Sequence, residues 1–185
     1  VYVQTNWPLS RSLDEVRWVQ EVADRHGWPH AIVGSADLMD DACQEVFAAQ
    51  ARITPLMRGT RLQLHWHENP VFRFAPVPDR MNDSTFRRNL ARIERYGWHF
   101  ELQVFPPQMR DAARLVADFP GIPFVLVHAG GAERLVLGLG ADDVHHVVDG
   151  DAAEQDVVFI HHGRRDPVVV GELGGHFGAG RVPRE

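Results

Sequence analysis

The feature that most constrains the fold of this 185-residue chain is the alternation of strand-like and helix-like segments through its first 130 residues. Short apolar runs rich in β-branched and aromatic residues predict strands at 1–6, 30–34, 59–66, 99–105 and 123–130. Residues at helical spacing predict helices at 12–27, 37–53, 82–97 and 106–120. Alternation with short connections is typical of an α/β fold, in which helices cover a parallel sheet.

Local signals sharpen two of the predicted helices. Ser12 and Glu15 have the spacing of a capping box at the start of the first helix, and Gly27 is placed to end it. In the second helix, we expect Leu38, Val46 and Ala49 to form the buried stripe.

Polar side chains near the ends of the predicted strands favour a barrel over an open, doubly wound sheet. No glycine-rich dinucleotide fingerprint follows any strand, which removes most of the support for the open sheet. In a (β/α)8 barrel the carboxyl ends of the strands converge on one mouth, where barrel enzymes place their chemistry. The residues expected at that mouth are Gln4, Asn6, His65, His67, Glu101, Gln103 and His128. The sequence therefore predicts a partial (β/α)8 TIM barrel of about five consecutive β-α strands.

Composition narrows the chemistry and the partners. All 19 cationic side chains are arginine, which excludes a Schiff-base or P-loop lysine and leaves arginine to hold a substrate carboxylate. A net charge of -6 argues against nucleic acid and favours a small-molecule substrate. The lone Cys43 indicates a reducing compartment, and nothing around it favours a nucleophile. Because no apolar run approaches the ~20 residues of a membrane span, we expect a cytoplasmic protein.

Several candidate residues keep two interpretations each. His65 and His67, at i and i+2 before Glu68, either share a metal on one face of a strand or bond to backbone at its end. Arg61 is paired either with Glu101 or with a substrate carboxylate. His128 is either a buried structural histidine or a site histidine. The His-His pairs in 144–146 and 160–163 each offer at most one ligand to a common point, and Ser35 lacks the second glycine of the serine-nucleophile signature.

The stretch after Gly130 differs in character from the rest. It holds most of the 16 glycines and none of the 5 tryptophans, and no amphipathic helix separates its strand-like runs at 144–149, 157–163 and 167–173. We therefore divide the chain into a barrel domain at 1–130 and an atypical tail at 131–185, frameshifted or poorly ordered.

The first 130 residues resemble the amidohydrolase superfamily, in its branch of lactonase-like metal-dependent hydrolases that includes fuconolactonase, rhamnonolactonase and 2-pyrone-4,6-dicarboxylate lactonase. The segments that carry the resemblance are VYVQTNW, GWPHAIVGSADL, RGTRLQLHWHENP, MNDSTFRRNLARIERYGWHFELQVFPPQM and FPGIPFVLVHAG. The resemblance implies a distorted (β/α)8 barrel that hydrolyses small lactones, often of sugar acids, with or without a divalent metal such as zinc or manganese. It further implies that Arg61 binds substrate, that His128 contacts metal or substrate, and that His67 lies at the rim.

The chain also departs from that family. The family's first strand carries an H-x-H metal pair, whereas this sequence begins at Val1 with what resembles the family's second strand. The family's later tryptophan-bearing helix, its K-L-S-G strand and its late aspartate are not found after Gly130. We therefore expect an incomplete lactonase-like hydrolase in which His128 and Glu101 are the catalytic candidates, Arg61, His67 and Gln4 bind the lactone, and His128 is the tentative metal ligand. The alternative is a noncatalytic fragment or small-molecule-binding protein of the same fold. The sequence leaves the oligomeric state open.

Overall fold

The computed structural model describes residues 1–127 and the backbone of a strand at 158–160. These residues fall into two compact units. The first unit comprises Val1–Leu62 and Asp79–Glu101, and the second comprises Gln63–Pro78 and the described residues from Leu102 onward.

The first unit is a parallel sheet with helices between its strands. Its elements are β1 (Tyr2–Val3), α1 (Ser12–His26), β2 (Ile32–Ser35), α2 (Cys43–Ile53), β3 (Met57–Arg61), α3 (Ser84–Ala91) and β4 (His99–Leu102), with short 3-10 turns at Leu9–Arg11, Arg80–Asn82 and Glu94–Tyr96. Strands β1 to β4 pair in parallel and in sequence order. Each new strand lies beside the last, which is the arrangement of consecutive barrel units and not of a sheet with a switch point.

The second unit begins at Gln63, shortly after the end of β3. It contains 3-10 turns at Pro70–Phe72 and Pro106–Gln108, helix α4 (Met109–Asp118), and strands β5 (Phe124–Leu126) and β6 (Val158–Ile160). Leu102, the last residue of β4, belongs to this unit, and its carbonyl accepts a hydrogen bond from Val127 N at 2.9 Å. Strand β6 pairs antiparallel with β5.

The predicted alternation, the α/β class and the partial barrel are confirmed by this order. Several predictions concern residues that the structure does not describe. They are the strands at 144–149 and 167–173, the His-His pairs, and the domain boundary at 130. No helix in the described part of the chain is long and apolar enough to cross a membrane.

The two faces of the sheet in the first unit have different roles. Phe100 points to the helix-covered face, where its ring lies 5.8 Å from that of Phe86 on α3. Side chains alternate along a strand, so His99 and Glu101 lie on the opposite face. The helix-covered face holds the apolar core, and the opposite face is left for polar side chains at the strand ends.

Two local predictions in the first unit are wrong. Helix α1 has Arg11 as its N-cap, without a side-chain cap, because the chain enters it through a 3-10 turn. The predicted capping partner Glu15 instead accepts hydrogen bonds from Tyr2 Oη and Thr5 N, both at 2.8 Å. Gly27 does end the helix, in the left-handed conformation with a φ of 74°.

The buried stripe of α2 is also displaced from the predicted one. It consists of Cys43, Phe47 and Gln50, while Val46 and Ala49 lie at intermediate exposure. Leu38 is buried but precedes the helix, because turns at 37–42 delay its start. The Asp37 carboxylate accepts a hydrogen bond from Met39 N in one of these turns, a local bond that competes with helix formation.

Candidate functional site

A row of polar residues occupies the carboxyl ends of three neighbouring strands in the first unit. The strand register aligns Ser35 on β2 with Arg61 on β3, and Arg61 with Glu101 on β4. Two residues earlier along each strand, and on the same face, Gly59 on β3 is aligned with His99 on β4. These are the residues that a barrel would present at its mouth.

Arg61 and Glu101 form a buried ion pair. The guanidinium Nε donates to Glu101 Oε2 at 2.6 Å, and Nη2 contacts the same oxygen. The side chains are only 11% and 6% exposed, so each charge depends on the other for compensation. Of the two interpretations of Arg61, pairing with Glu101 is the one observed. Within the described residues, the contacts of Arg61 with Glu101 use Nε and Nη2 and not Nη1.

Burial by itself would raise the pKa of the Glu101 carboxyl. The imidazole of His99 and the charge of Arg61 outweigh burial, and together they lower that pKa below its ordinary value. Glu101 is therefore ionised at neutral pH. A carboxylate with a lowered pKa is a weak proton acceptor, so its chemical use is to hold and polarise its neighbours.

His99 is the third member of this cluster. Its Nε2 lies 3.6 Å from Glu101 Oε1, and the side chain is 20% exposed. The ring lies against the backbone of β3, where a Cβ on Gly59 would stand 2.5 Å from Nε2. Only glycine at position 59 admits the ring in this place. Nε2 is the ring nitrogen that lies near the carboxylate, so a neutral ring with its proton on Nε2 would carry its lone pair on Nδ1.

Ser35 completes the row on the β2 side. Its side chain is buried, and Oγ has no hydrogen-bond partner in the described part of the chain. A buried hydroxyl without a partner is costly unless a ligand or water satisfies it. Nothing in the described geometry activates Ser35 as a nucleophile, in agreement with its lack of the serine signature.

Gln4 follows β1, and its contacts are those of a turn. Its Oε1 accepts a hydrogen bond from Asn6 N at 2.9 Å, which supports the left-handed φ of 64° at Asn6. The proposed role of Gln4 in binding substrate stays a prediction.

His65 and His67 belong to the second unit and lie beyond the end of β3, which stops at Arg61. The expectation that they lie on one face of a strand is therefore wrong, because β3 is formed by Met57–Arg61 and not by 59–66. Both rings nevertheless pack edge-on against Phe105, at centroid distances of 5.3 and 5.8 Å. His67 Nδ1 accepts a hydrogen bond from Asn69 N, so a neutral His67 offers Nε2–H as a donor.

His128, predicted as catalytic residue and metal ligand, lies outside the described residues. Among those that are described, no three histidine, cysteine or carboxylate side chains converge closely enough to hold a metal ion. His99 and Glu101 contribute two such groups. The described residues thus do not by themselves fit a divalent metal, and no chemical step is assigned to one here.

Cys43 is not part of a site. It is a free, buried cysteine, and burial raises the pKa of its thiol to about 11. A protonated thiol at neutral pH is a poor nucleophile.

Sequence reasoning missed His99 and gave Gly59 no role. The signal was present as the alternation H-F-E at 99–101, which places His99 and Glu101 on one face. The small residue opposite His99 could not be recognised without the register between β3 and β4.

The sequence model of the family described as Amidohydrolase matches residues 3–182. An uncharacterized protein, y4mH, of Sinorhizobium fredii (strain NBRC 101917 / NGR234) is 27% identical over 130 residues, which are 70% of this chain and 43% of that protein. A crystal structure of an amidohydrolase from Burkholderia multivorans with bound zinc is 28% identical, with a TM-score of 0.50 over 63% of this chain and 38% of that one.

The chain therefore spans less than half the length of each of these relatives. The family match nevertheless covers nearly all of its residues, and the solved relative shares its parallel α/β arrangement. The chain belongs to the amidohydrolase family.

Proposed function

We propose that this amidohydrolase-family chain derives from a hydrolase that opens small lactones, such as those of sugar acids or dicarboxylic acids. The observation that carries the proposal is the cluster of Arg61, Glu101 and His99 at the carboxyl ends of β3 and β4. It combines a cation, an anion and an imidazole on the face of the sheet that the helices do not cover.

Each member of the cluster has a distinct role in the proposed reaction. Ring opening requires attack of water on the lactone carbonyl and stabilisation of the negative charge that develops on its oxygen. His99 takes the proton from water at Nδ1, and Glu101 stabilises the imidazolium that results. Arg61 directs Nη1 to a carboxylate or carbonyl oxygen of the substrate. Water thus adds to the carbonyl carbon, the ring C–O bond breaks, and the proton passes to the leaving oxygen.

Other residues are proposed as auxiliary groups. His67, as an Nε2–H donor, and Gln4 are proposed to bind substrate, and His128 to contact metal or substrate. A divalent zinc or manganese ion is proposed as an optional cofactor only, and no step of the reaction depends on it, because the described residues do not by themselves fit one. The relative from Burkholderia multivorans was crystallised with zinc, which supports adding the metal in an assay. We propose a cytoplasmic location, a small-molecule lactone as the partner, and no nucleic-acid or membrane partner.

We expect the activity of this polypeptide to be low. The lowered pKa of Glu101 makes it a weak proton acceptor, so His99 is the one member of the cluster left to activate water. The noncatalytic alternative is favoured by one observation, the mutual pairing of Arg61 and Glu101, which is also what a purely structural ion pair shows.

The test is hydrolysis of a panel of sugar-acid and dicarboxylate lactones. The rate is measured from the protons released, with and without added zinc or manganese. The decisive variants are His99→Ala and Arg61→Met, and Arg88→Met is the matched control because its ion pair with Asp41 is exposed. Turnover lost in the first two and kept in the control supports hydrolysis at this cluster. Saturable lactone binding without turnover supports the noncatalytic alternative.

A further inference from the structure

Arg80 differs from the paired arginines of the first unit. Arg61 contacts Glu101 and Arg88 contacts Asp41, so each of these guanidinium groups has a carboxylate beside it. Arg80 Nε, in contrast, is buried and has no hydrogen-bond partner in the described part of the chain. The residue as a whole is partly exposed, so a ligand reaches the guanidinium at its terminal nitrogens and not at Nε.

Two carboxylates lie near Arg80, but both are held by backbone groups. Asp83 Oδ1 accepts hydrogen bonds from two backbone N–H groups of α3, at 2.7 and 3.1 Å. Asp37 Oδ1 accepts one from Met39 N at 3.0 Å. Burial lowers the pKa of the Arg80 guanidinium, and the charges of Asp37 and Asp83 offset this effect only in part. These two carboxylates therefore do not make up for the water that the guanidinium has lost.

The turn that carries Arg80 is fixed in place. Met81, the next residue, is 1% exposed and belongs to the core. Asn82 N donates to Asp79 O at 2.8 Å, and Arg87 Nη1 donates to Met81 O at 3.2 Å. The backbone under Arg80 does not have to be ordered when a ligand binds, which removes one cost of binding. Arg87 also brings a second positive charge to this turn, so an arriving anion meets two cations beside the two carboxylates.

Arg80 lies at the same edge of the sheet as the cluster proposed to open lactones. It belongs to the connection from β3 to α3, which leaves the sheet at the carboxyl end of a strand. Asp37, whose charge acts on Arg80, comes two residues after Ser35, the last residue of β2. Ser35 is in turn aligned with Arg61.

We propose that Arg80 binds a free carboxylate of the substrate, so that the lactone opened here is an acidic one and not a neutral sugar lactone. This inference rests on the proposed function and names the substrate class within it. The carboxylate would supply the anion contact that Arg80 lacks, through the terminal nitrogens of its planar fork. The two arginines then have separate roles, since Arg61, already paired with Glu101, is left for the carbonyl oxygen.

The probes that test this are tetrahydrofuran-2-carboxylate and tetrahydrofurfuryl alcohol, titrated against the full chain by saturation-transfer NMR. Both contain a five-membered ring without an ester bond, so neither is hydrolysed, but only the first carries a carboxylate. It should bind roughly tenfold more tightly than the alcohol, the ratio that one charge-assisted hydrogen bond supplies. Arg80→Met should abolish that preference, and Arg80→Lys should restore part of it, because lysine keeps the charge but not the fork.

Arg88→Met is the matched control, because its ion pair with Asp41 is exposed, and it should leave the preference unchanged. Equal binding of the two probes, or a preference that survives Arg80→Met, overturns the proposal. A preference lost in Arg61→Met and kept in Arg80→Met assigns the carboxylate to Arg61 and overturns it as well.

This inference and the lactonase function fail separately. Carboxylate binding at Arg80 without ring opening in the lactone assay supports the anion site and removes the hydrolase. Ring opening that is equally fast for acidic and neutral lactones, and unchanged in Arg80→Met, supports the hydrolase and overturns the role of Arg80.

Discussion

Replacing Gly59 by alanine should push His99 out of its place and destabilise the protein. The new Cβ would stand 2.5 Å from Nε2, 2.6 Å from Cε1 and 2.7 Å from Cδ2 of the imidazole, where ordinary contact begins at 3.4 Å. The ring must move and give up its attraction to Glu101. Overpacking of this kind costs about 1–3 kcal/mol. Urea unfolding followed by circular dichroism should show the midpoint falling by on the order of 1 M.

The effect of Gly59→Ala on stability should have the opposite sign once the ring of His99 is absent. In a His99→Ala background there is nothing for the Cβ to strike, and an alanine in a strand is favoured over glycine by about 0.5–1 kcal/mol. Gly59→Ala should therefore stabilise the His99→Ala protein, and the double-mutant cycle should give a coupling of about 2 kcal/mol or more. An equal loss in both backgrounds would refute the placement of the ring against β3.

Four further outcomes are expected. Glu101→Gln should cost about 3–5 kcal/mol because it leaves the Arg61 charge buried and unpaired, whereas Glu101→Leu with Arg61→Met should cost far less in the same unfolding assay. The lowered pKa of Glu101 means that its stabilisation is present above the unfolded value of 4.5 and is lost as pH falls through the folded value, so an acid-unfolding series should be flatter for Glu101→Gln in this range. Cys43, with a thiol pKa raised by burial to about 11, should resist a disulfide reagent at mildly alkaline pH in the native state and react at once in urea; equal rates would contradict its burial. Gln108 Nε2 donates to Leu64 O and Pro78 O, so Gln108→Leu should free the loop from Trp66 to Pro78, visible as faster amide hydrogen exchange there, and unchanged exchange would contradict the role of that side chain as its anchor.

Periodicity and end signals predicted the order of the elements well. The apolar runs around Ile32 and Phe100 are strands because their residues suit a buried sheet, and Gly27 and Gly97 end helical segments with positive φ, as glycine does most readily. Element boundaries were predicted less well, since β3 stops at Arg61 and leaves His65 in an irregular segment. An apolar run predicts which residues are buried, but it does not predict the residue at which the pairing of two strands ends.

The candidate site was predicted in part. Arg61 and Glu101 could be paired from sequence, because a guanidinium inside a strand needs an anion. The position of His99 beside Glu101 and Gly59 could not be predicted in the same way. It depends on the register between β3 and β4 and on the space that Gly59 leaves for the ring. The contacts of His67 with Phe105 likewise join residues distant in sequence.

The central claim is that the cluster of Arg61, Glu101 and His99 opens lactones, and the most direct test is the initial rate of ring opening by the unmodified chain and by His99→Ala. The expected rate is above that of buffer but below the ordinary enzyme range of ~1 to 10³ per second. It should fall by roughly 10²-fold or more in the variant, the contribution typical of a positioned general base. A rate in the variant equal to that of the unmodified chain, or no ring opening by either across the whole panel with and without metal, would contradict the claim.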